Sequence, residues 1–173
     1  MRYESRRSRE EAEFREFASG CSGGLLRAAY LLLRDREAAQ DVVQTTLMRT
    51  FGHWRHAREA PEAYSRRVLI NVCKNHWRSQ ARHPEVHADE TTGIDPVVSV
   101  LGQVDDRLTL DALLGELAAQ QRAVLVLRFY LDLSVAETAA LLDVAEGTVK
   151  SATHRGLDRL RVLLDEQSQE AVN

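Results

Sequence analysis

Apolar positions recur every three or four residues along most of the chain, which is the spacing of helices that bury one face. Phe14, Phe17, Cys21, Leu25, Ala29 and Leu33 form a first stripe, with Gly20, Gly23 and Gly24 as points where it can break. Val43, Leu47, Phe51 and Trp54 form a second. Pro61, a residue suited to the first turn of a helix, opens a third through Tyr64, Val68, Val72 and His76, flanked by Leu69 and Cys73. The pattern then stops: residues 82–102 hold Pro84, Gly93, Pro96 and the paired Thr91 and Thr92, and no face long enough to pack. It resumes with Leu110, Leu113, Leu114 and Leu117, then Val124, Leu127 and Leu131, then Ala139 and Leu142, and finally Val149, Leu157, Leu160 and Leu164. No alternating strand pattern of useful length occurs. The prediction is an all-α chain of two small helical domains, residues 10–82 and 106–166, joined by a flexible linker over 83–105.

Composition supports a packed core, since 44% of the residues are hydrophobic and 28% charged. Cys21 and Cys73 are too few for a disulfide framework and no apolar leader opens the chain, so a cytoplasmic location is expected. The longest apolar run, Ala28 to Leu33, is too short to span a bilayer, so membrane insertion is not expected. A net charge of −3 argues against a nucleic-acid partner only until it is resolved by segment. Residues 1–20 carry five basic and five acidic groups, as a solvated helical lead-in would. Residues 55–82 carry seven basic groups against Glu59 and Glu62, a net of +5. Residues 83–120 carry eight acidic groups against Arg107 alone, a net of −7. Residues 146–161 return to +2. Phosphate binding depends on local potential screened over about 10 Å, so two basic faces separated by an acidic stretch remain compatible with DNA.

The stretch from Ser134 to Arg161 has the form of a helix-turn-helix. Ser134 and Glu137 make a capping box, Ala139 is small where two helices must approach, Asp143 falls in the tight turn, and Val149 anchors the second helix to the first. Glu146, Thr148, Lys150, Ser151, His154 and Arg155 then occupy the turns that would enter a major groove. Asp143 stands where glycine is usual, but aspartate tolerates the left-handed conformation better than most residues. An ordinary helical hairpin with a solvated basic face would show the same pattern. The helix from residue 60 to 82 adds a second signal: Arg66, Arg67, Lys74, Arg78 and Arg82 are interleaved with Asn71, Asn75, His76 and Trp77. Cations hold phosphates, asparagine reads base edges and an indole stacks on an unpaired base, the combination that single-strand recognition needs.

Together the blocks EAAQDVVQTTLMRTFGHW, AYSRRVLINVCKNHWRS and LAAQQRAVLVLRFYLDLSVAETAALLDVAEGTVKSATHRGLDRLR, in this order, resemble the extracytoplasmic-function (group IV) sigma factors of bacterial RNA polymerase. The resemblance covers about Phe14 to Leu164. It implies that the first domain is sigma region 2, whose helix 38–54 would meet the clamp helices of the core polymerase through Asp41, Gln44 and Met48, with Val43, Leu47 and Phe51 facing the core. It implies a −10 reader in the next helix, assigned to Arg66, Arg67, Asn71, Lys74, Asn75, Trp77 and Arg78, which would take a flipped non-template base. The second domain, region 4, would read the −35 duplex of promoter DNA through Glu146, Thr148, Lys150, Ser151, His154 and Arg155, with Arg122 and Arg128 near the phosphates or the polymerase flap. Such factors are commonly held by an anti-sigma factor, and the linker is expected to run through the basic channel of the polymerase.

Three positions depart from that pattern. Ala152 replaces the usual arginine after the Lys-Ser pair, Thr45 stands where glutamate is common, and Ala145 replaces a serine, removing an N-cap worth about 1 kcal/mol. Enzyme chemistry is not expected, because no Gly-rich phosphate loop, HExxH or CxxC occurs and no nucleophile and base have a supporting spacing. Cys73 with His76, and His53 with His56, come nearest to ligand spacing, but are expected to be core and surface groups, so neither metal nor cofactor is predicted. The rival reading is a stand-alone helix-turn-helix regulator, which would bind duplex DNA without polymerase.

Overall fold

A computed structural model describes residues 2–82 and 104–170. The described residues form helices α1 (Arg2–Leu33), α2 (Arg36–Gly52), α3 (Trp54–Ala57), α4 (Pro61–Arg82), α5 (Val104–Gly115), α6 (Ala119–Leu125), α7 (Val135–Leu142) and α8 (Glu146–Glu170), with a π-helical segment at Val126–Tyr130. The chain divides into two compact units at Arg82/His83. Most of the expected linker, residues 83–103, lies outside the described residues.

In the first unit α1, α2 and α4 pack on one another and α3 closes against α2 and α4. The core is Leu25, Ala28, Ala29, Leu31 and Leu32 of α1, Ala39, Val42 and Val43 of α2, Trp54 and Ala57 of α3, and Leu69, Ile70, Val72 and Cys73 of α4. Helix α1 does not break at its glycines. At Gly20, Gly23 and Gly24 an added Cβ would meet nothing within 4 Å, so no close approach requires glycine there. Asp35 starts α2 by accepting the Ala38 N–H at 2.9 Å.

The inner face of α2 differs from the expected stripe. Thr46 and Thr50 are fully buried, while Phe51 is 40% exposed and Leu47 half-buried. Both threonine hydroxyls donate back to the carbonyls four residues earlier, Thr46 to Val42 at 2.7 Å and Thr50 to Thr46 at 2.8 Å, so their burial leaves no unpaired donor. Phe51 instead lies over Phe14, with ring centroids 4.9 Å apart, and Phe14 meets Trp54 edge-on at 5.2 Å. Phe17 completes the group at 5.4 Å from Trp54.

In the second unit α8 lies across α5, α6 and α7. Val124, Ala139, Val149 and Ala152 form a buried cluster with Val135, Leu142 and Val144 packed against it. The stripe of α8 therefore runs Val149, Ala152, Gly156, Leu163, and Leu164, expected inside, is exposed. Two small residues carry the stripe through its middle, and a search for large apolar groups passes over them. A Cβ on Gly156 would stand 3.0 Å from Leu125 Cδ1, so here glycine does answer a close approach, of α8 to α6. Leu110, also expected inside, is exposed on α5. Helix α7 starts on a complete capping box, with Ser134 Oγ accepting from Glu137 N at 3.1 Å and Glu137 Oε2 accepting from Ser134 N at 2.7 Å. It ends at Asp143 in the left-handed region (φ 60°, ψ 48°), where the Val144 N–H returns to the Ala139 carbonyl at 3.0 Å.

Three predictions follow from this packing. Gly20→Ala should raise the stability of the first unit by about 0.5–1 kcal/mol, since it restricts the unfolded chain and touches nothing. Thermal unfolding followed by fluorescence checks it, because Trp54 and Trp77, the two tryptophans, both lie in that unit. Ser134→Ala should cost the second unit about 1 kcal/mol and Ala145→Ser should add a comparable amount by capping α8, both read by calorimetry. Burial pushes the Cys73 thiol up to about 12. A folded value above the unfolded one near 9 means that its contribution to stability is complete below that range and is lost as pH rises toward about 12. A thiol reagent at neutral pH should therefore modify Cys73 only when the unit unfolds, and modification at the rate of a free thiol would contradict its burial.

Candidate nucleic-acid interface

Helix α4 buries Ser65, Leu69, Ile70, Val72 and Cys73 on one side, and helical geometry then sends the residues between them outward. Arg67, Asn71, Asn75 and Arg78, at steps of four, four and three, are all exposed and form one continuous stripe. Arg66, Lys74, His76 and Trp77 flank it, each half-buried. The Arg66 Nε donates to the Glu62 carbonyl at 3.3 Å, which holds the start of its side chain along the helix. Trp77 is half-buried, and its position on the helix lies on the side of the buried Ile70 and Cys73 rather than on the Asn71–Asn75 face. Cys73 is fully buried, and burial raises its thiol pKa.

The +5 segment is divided by the fold. Arg55 Nε lies 3.3 Å from Glu10 Oε1, and Arg58 Nη2 lies 3.2 Å from Glu13 Oε2. Two of the seven cations are therefore answered by carboxylates of α1, and the aromatic cluster of Phe14, Phe17, Phe51 and Trp54 holds the helices at that spacing. The expected solvated lead-in is a packed element, and the net positive face belongs to α4. Opposite charges 45 residues apart give no local signal, so this pairing was not visible in the chain. On α2, Asp41, Gln44 and Met48 share the face opposite the buried threonines, and Met48 is 68% exposed.

In the second unit Ala145 sits at the N-cap position of α8 without a capping side chain, and its carbonyl accepts from Thr148 N and Val149 N at 2.9 and 3.2 Å. Glu146, Lys150, Ser151, His154 and Arg155 are exposed and Thr148 is half-buried. Ala152 is buried, so this departure from the family pattern changes the floor of the motif and not its outer face. Ser151 Oγ donates to the Thr148 carbonyl at 3.1 Å, and Arg155 Nε to the Ser151 carbonyl at 3.3 Å. One turn further, Asp158 lies between His154 (Nε2 to Oδ2, 3.2 Å) and Arg161 (Nη1 to Oδ1, 3.2 Å). Arg122 and Arg128 are half-buried and donate to the Leu117 and Leu133 carbonyls, which turns part of each guanidinium inward. Phe129, 60% exposed, and Tyr130 close the π segment beside them.

The arrangement is a helix-turn-helix with a polar and basic outer face on one unit, and a basic helix carrying asparagine and indole on the other. Residues 21–83 match the family described as Sigma-70 region 2, and residues 107–160 match Sigma-70, region 4. The RNA polymerase sigma-E factor of Streptomyces coelicolor is 42% identical over 154 residues, covering 88% of this chain and 86% of that one. The ECF RNA polymerase sigma factor SigM of Mycobacterium tuberculosis is 33% identical over 143 residues, covering 81% and 71%. Among solved structures, the sigma factor RpoE in complex with the anti-sigma factor NepR from Bartonella quintana superposes with a TM-score of 0.68 at 25% identity, over 88% of this chain and 96% of that one. With both regions present in order, and relatives matched over most of their length, the chain belongs to the sigma-70 family as an extracytoplasmic-function sigma factor.

Proposed function

We propose that the protein directs RNA polymerase to promoters by gripping two DNA elements with two surfaces of different chemistry. The observation that carries this reading is the exposed stripe of Arg67, Asn71, Asn75 and Arg78 on α4, a helix that also carries the half-buried Trp77. A melted −10 strand offers unpaired base edges to the asparagines and phosphates to the flanking arginines of this stripe. In this reading Asn71 and Asn75 contact a base flipped from the stack, Trp77 stacks at the edge of the melted segment, and Arg66, Arg67, Lys74 and Arg78 follow its phosphates. The outer face of α8, Glu146, Thr148, Lys150, Ser151, His154 and Arg155, lies in the major groove of the −35 element.

Core polymerase meets the Asp41, Gln44 and Met48 face of α2 through its clamp helices, and the flap meets the second unit. Residues 10–82, 83–105 and 106–166 serve as region 2, linker and region 4. Phosphodiester chemistry belongs to the polymerase, and this chain contributes binding energy and geometry without metal or cofactor. The protein works in the cytoplasm, where promoters are, in keeping with the absence of any helix among the described residues long and apolar enough to cross a membrane. The complex of RpoE with the anti-sigma factor NepR supports an anti-sigma partner here as well.

The test is run-off transcription with purified core polymerase on a library of promoter fragments. Discrete transcripts that depend on the protein are expected. Asn71→Ala and Trp77→Ala should reduce promoter opening at least tenfold, as read by permanganate reactivity, with affinity for core unchanged. An equal fall in core affinity would make these residues structural. Tight duplex binding with no affinity for core would favour a stand-alone helix-turn-helix regulator.

A further inference from the structure

The outer face of α8 contains a carboxylate where a DNA-facing helix gains nothing from negative charge. Asp158 follows Lys150, Ser151, His154 and Arg155 on the same side, and is tied to a residue on either side: Oδ2 lies 3.2 Å from His154 Nε2, and Oδ1 accepts from Arg161 Nη1 at 3.2 Å. The two partners are largely exposed. Surface pairs of this kind add little to folding stability, so stability does not account for an acid placed beside phosphates.

We infer that Asp158 is a positioning residue for −35 recognition, one that orients the His154 ring and the Arg161 guanidinium before DNA arrives. This rests on the assignment of the α8 face to the −35 duplex. A carboxylate oxygen 3.2 Å from a ring nitrogen favours a proton on that nitrogen, because the alternative sets two lone pairs against each other. With the proton on Nε2, the neutral ring offers Nδ1 as its acceptor, a match for the amino edge of adenine or cytosine in the major groove. Bracketing by His154 and Arg161 also offsets the charge of Asp158 before it nears the phosphates. The other charged groups on this face of α8 are Glu146, Lys150 and Arg155, while the helices packed beneath carry Asp111 (α5), Arg122 (α6) and Glu137 (α7), the last engaged in the capping box. Among the described residues, the ion pair made by His154 is the one with Asp158.

Two measurements on the full chain test the inference. The first is NMR of the free protein at about pH 8, where an ordinary imidazole is neutral, following the ring nitrogen shifts and the χ1 couplings of His154. A single rotamer with the proton on Nε2 is expected in the native chain, rotamer averaging in Asp158→Asn, and recovery in Asp158→Glu. No change in Asp158→Asn would overturn the proposal. The second is holoenzyme transcription from a promoter library randomised at −35. His154→Ala and Asp158→Asn should relax preference at the same base pair by roughly five- to tenfold, within the range of a single mismatch, with Asp158→Glu restoring it and Arg161→Ala separating the arginine's share. If His154→Ala relaxes that preference and Asp158→Asn does not, positioning is refuted while the −35 assignment stands. If neither variant changes preference at any base pair, the assignment of His154 itself fails, and the inference with it.

Discussion

The contact on which the second unit depends is the seating of Val149. The residue is completely buried in a cluster with Val124, Ala139 and Ala152, and two turns further along the same face Gly156 admits Leu125 where a methyl group would press against it. A helix can be brought this close only if its inner face is made of small groups, and then the geometry of a 3.6-residue turn places Lys150, Ser151, His154 and Arg155 outward with no further specification. The capping box at Ser134 and the left-handed Asp143 set the angle at which α8 enters that contact. The outward display of these polar and basic groups is thus a by-product of tight packing within.

The first unit reaches the same division of labour by another route. Its middle helix, α2, buries polar threonines whose hydroxyls are satisfied by their own helix, so the inner face is smooth and lacks large apolar side chains. The bulk absent from α2 is supplied by an aromatic group drawn from α1, α2 and α3, in which edge and tilted contacts add about 0.5–1.5 kcal/mol per pair beyond area burial. That group also fixes Glu10 and Glu13 opposite Arg55 and Arg58. The outward faces of α2 and α4 are left to polar and basic residues.

Helix content, the division into two units and the helix-turn-helix were legible in the chain, because each rests on short-range patterns: apolar spacing, a capping box, and one residue type suited to a left-handed turn. What was not legible depends on groups that carry no hydrophobic signal or act over long separations. The apolar stripe of α2 passed over Thr46 and Thr50, Leu164 replaced Leu163 on the inferred stripe of α8, and three glycines suggested a break in a helix that is continuous. Ala152 read as a lost contact because comparison with a family pattern supplies no burial. A spacing of three and four through Val149, Ala152 and Gly156 did hold the necessary clue, had small residues been weighted as markers of close approach.

The pairing of Arg55 and Arg58 with α1 has a consequence for any phosphate contact by this segment that net charge conceals. Cations that release no condensed counterions on binding contribute nothing to the salt dependence of affinity, however basic their segment looks. Added salt screens the Glu10 and Glu13 pairs along with every phosphate contact, but the ring contacts of Phe14, Phe17, Phe51 and Trp54 are indifferent to ionic strength, so the helices stay packed after the pairs themselves have weakened. If α4 meets DNA as proposed, the ion release of this unit is smaller than the +5 of residues 55–82 would suggest.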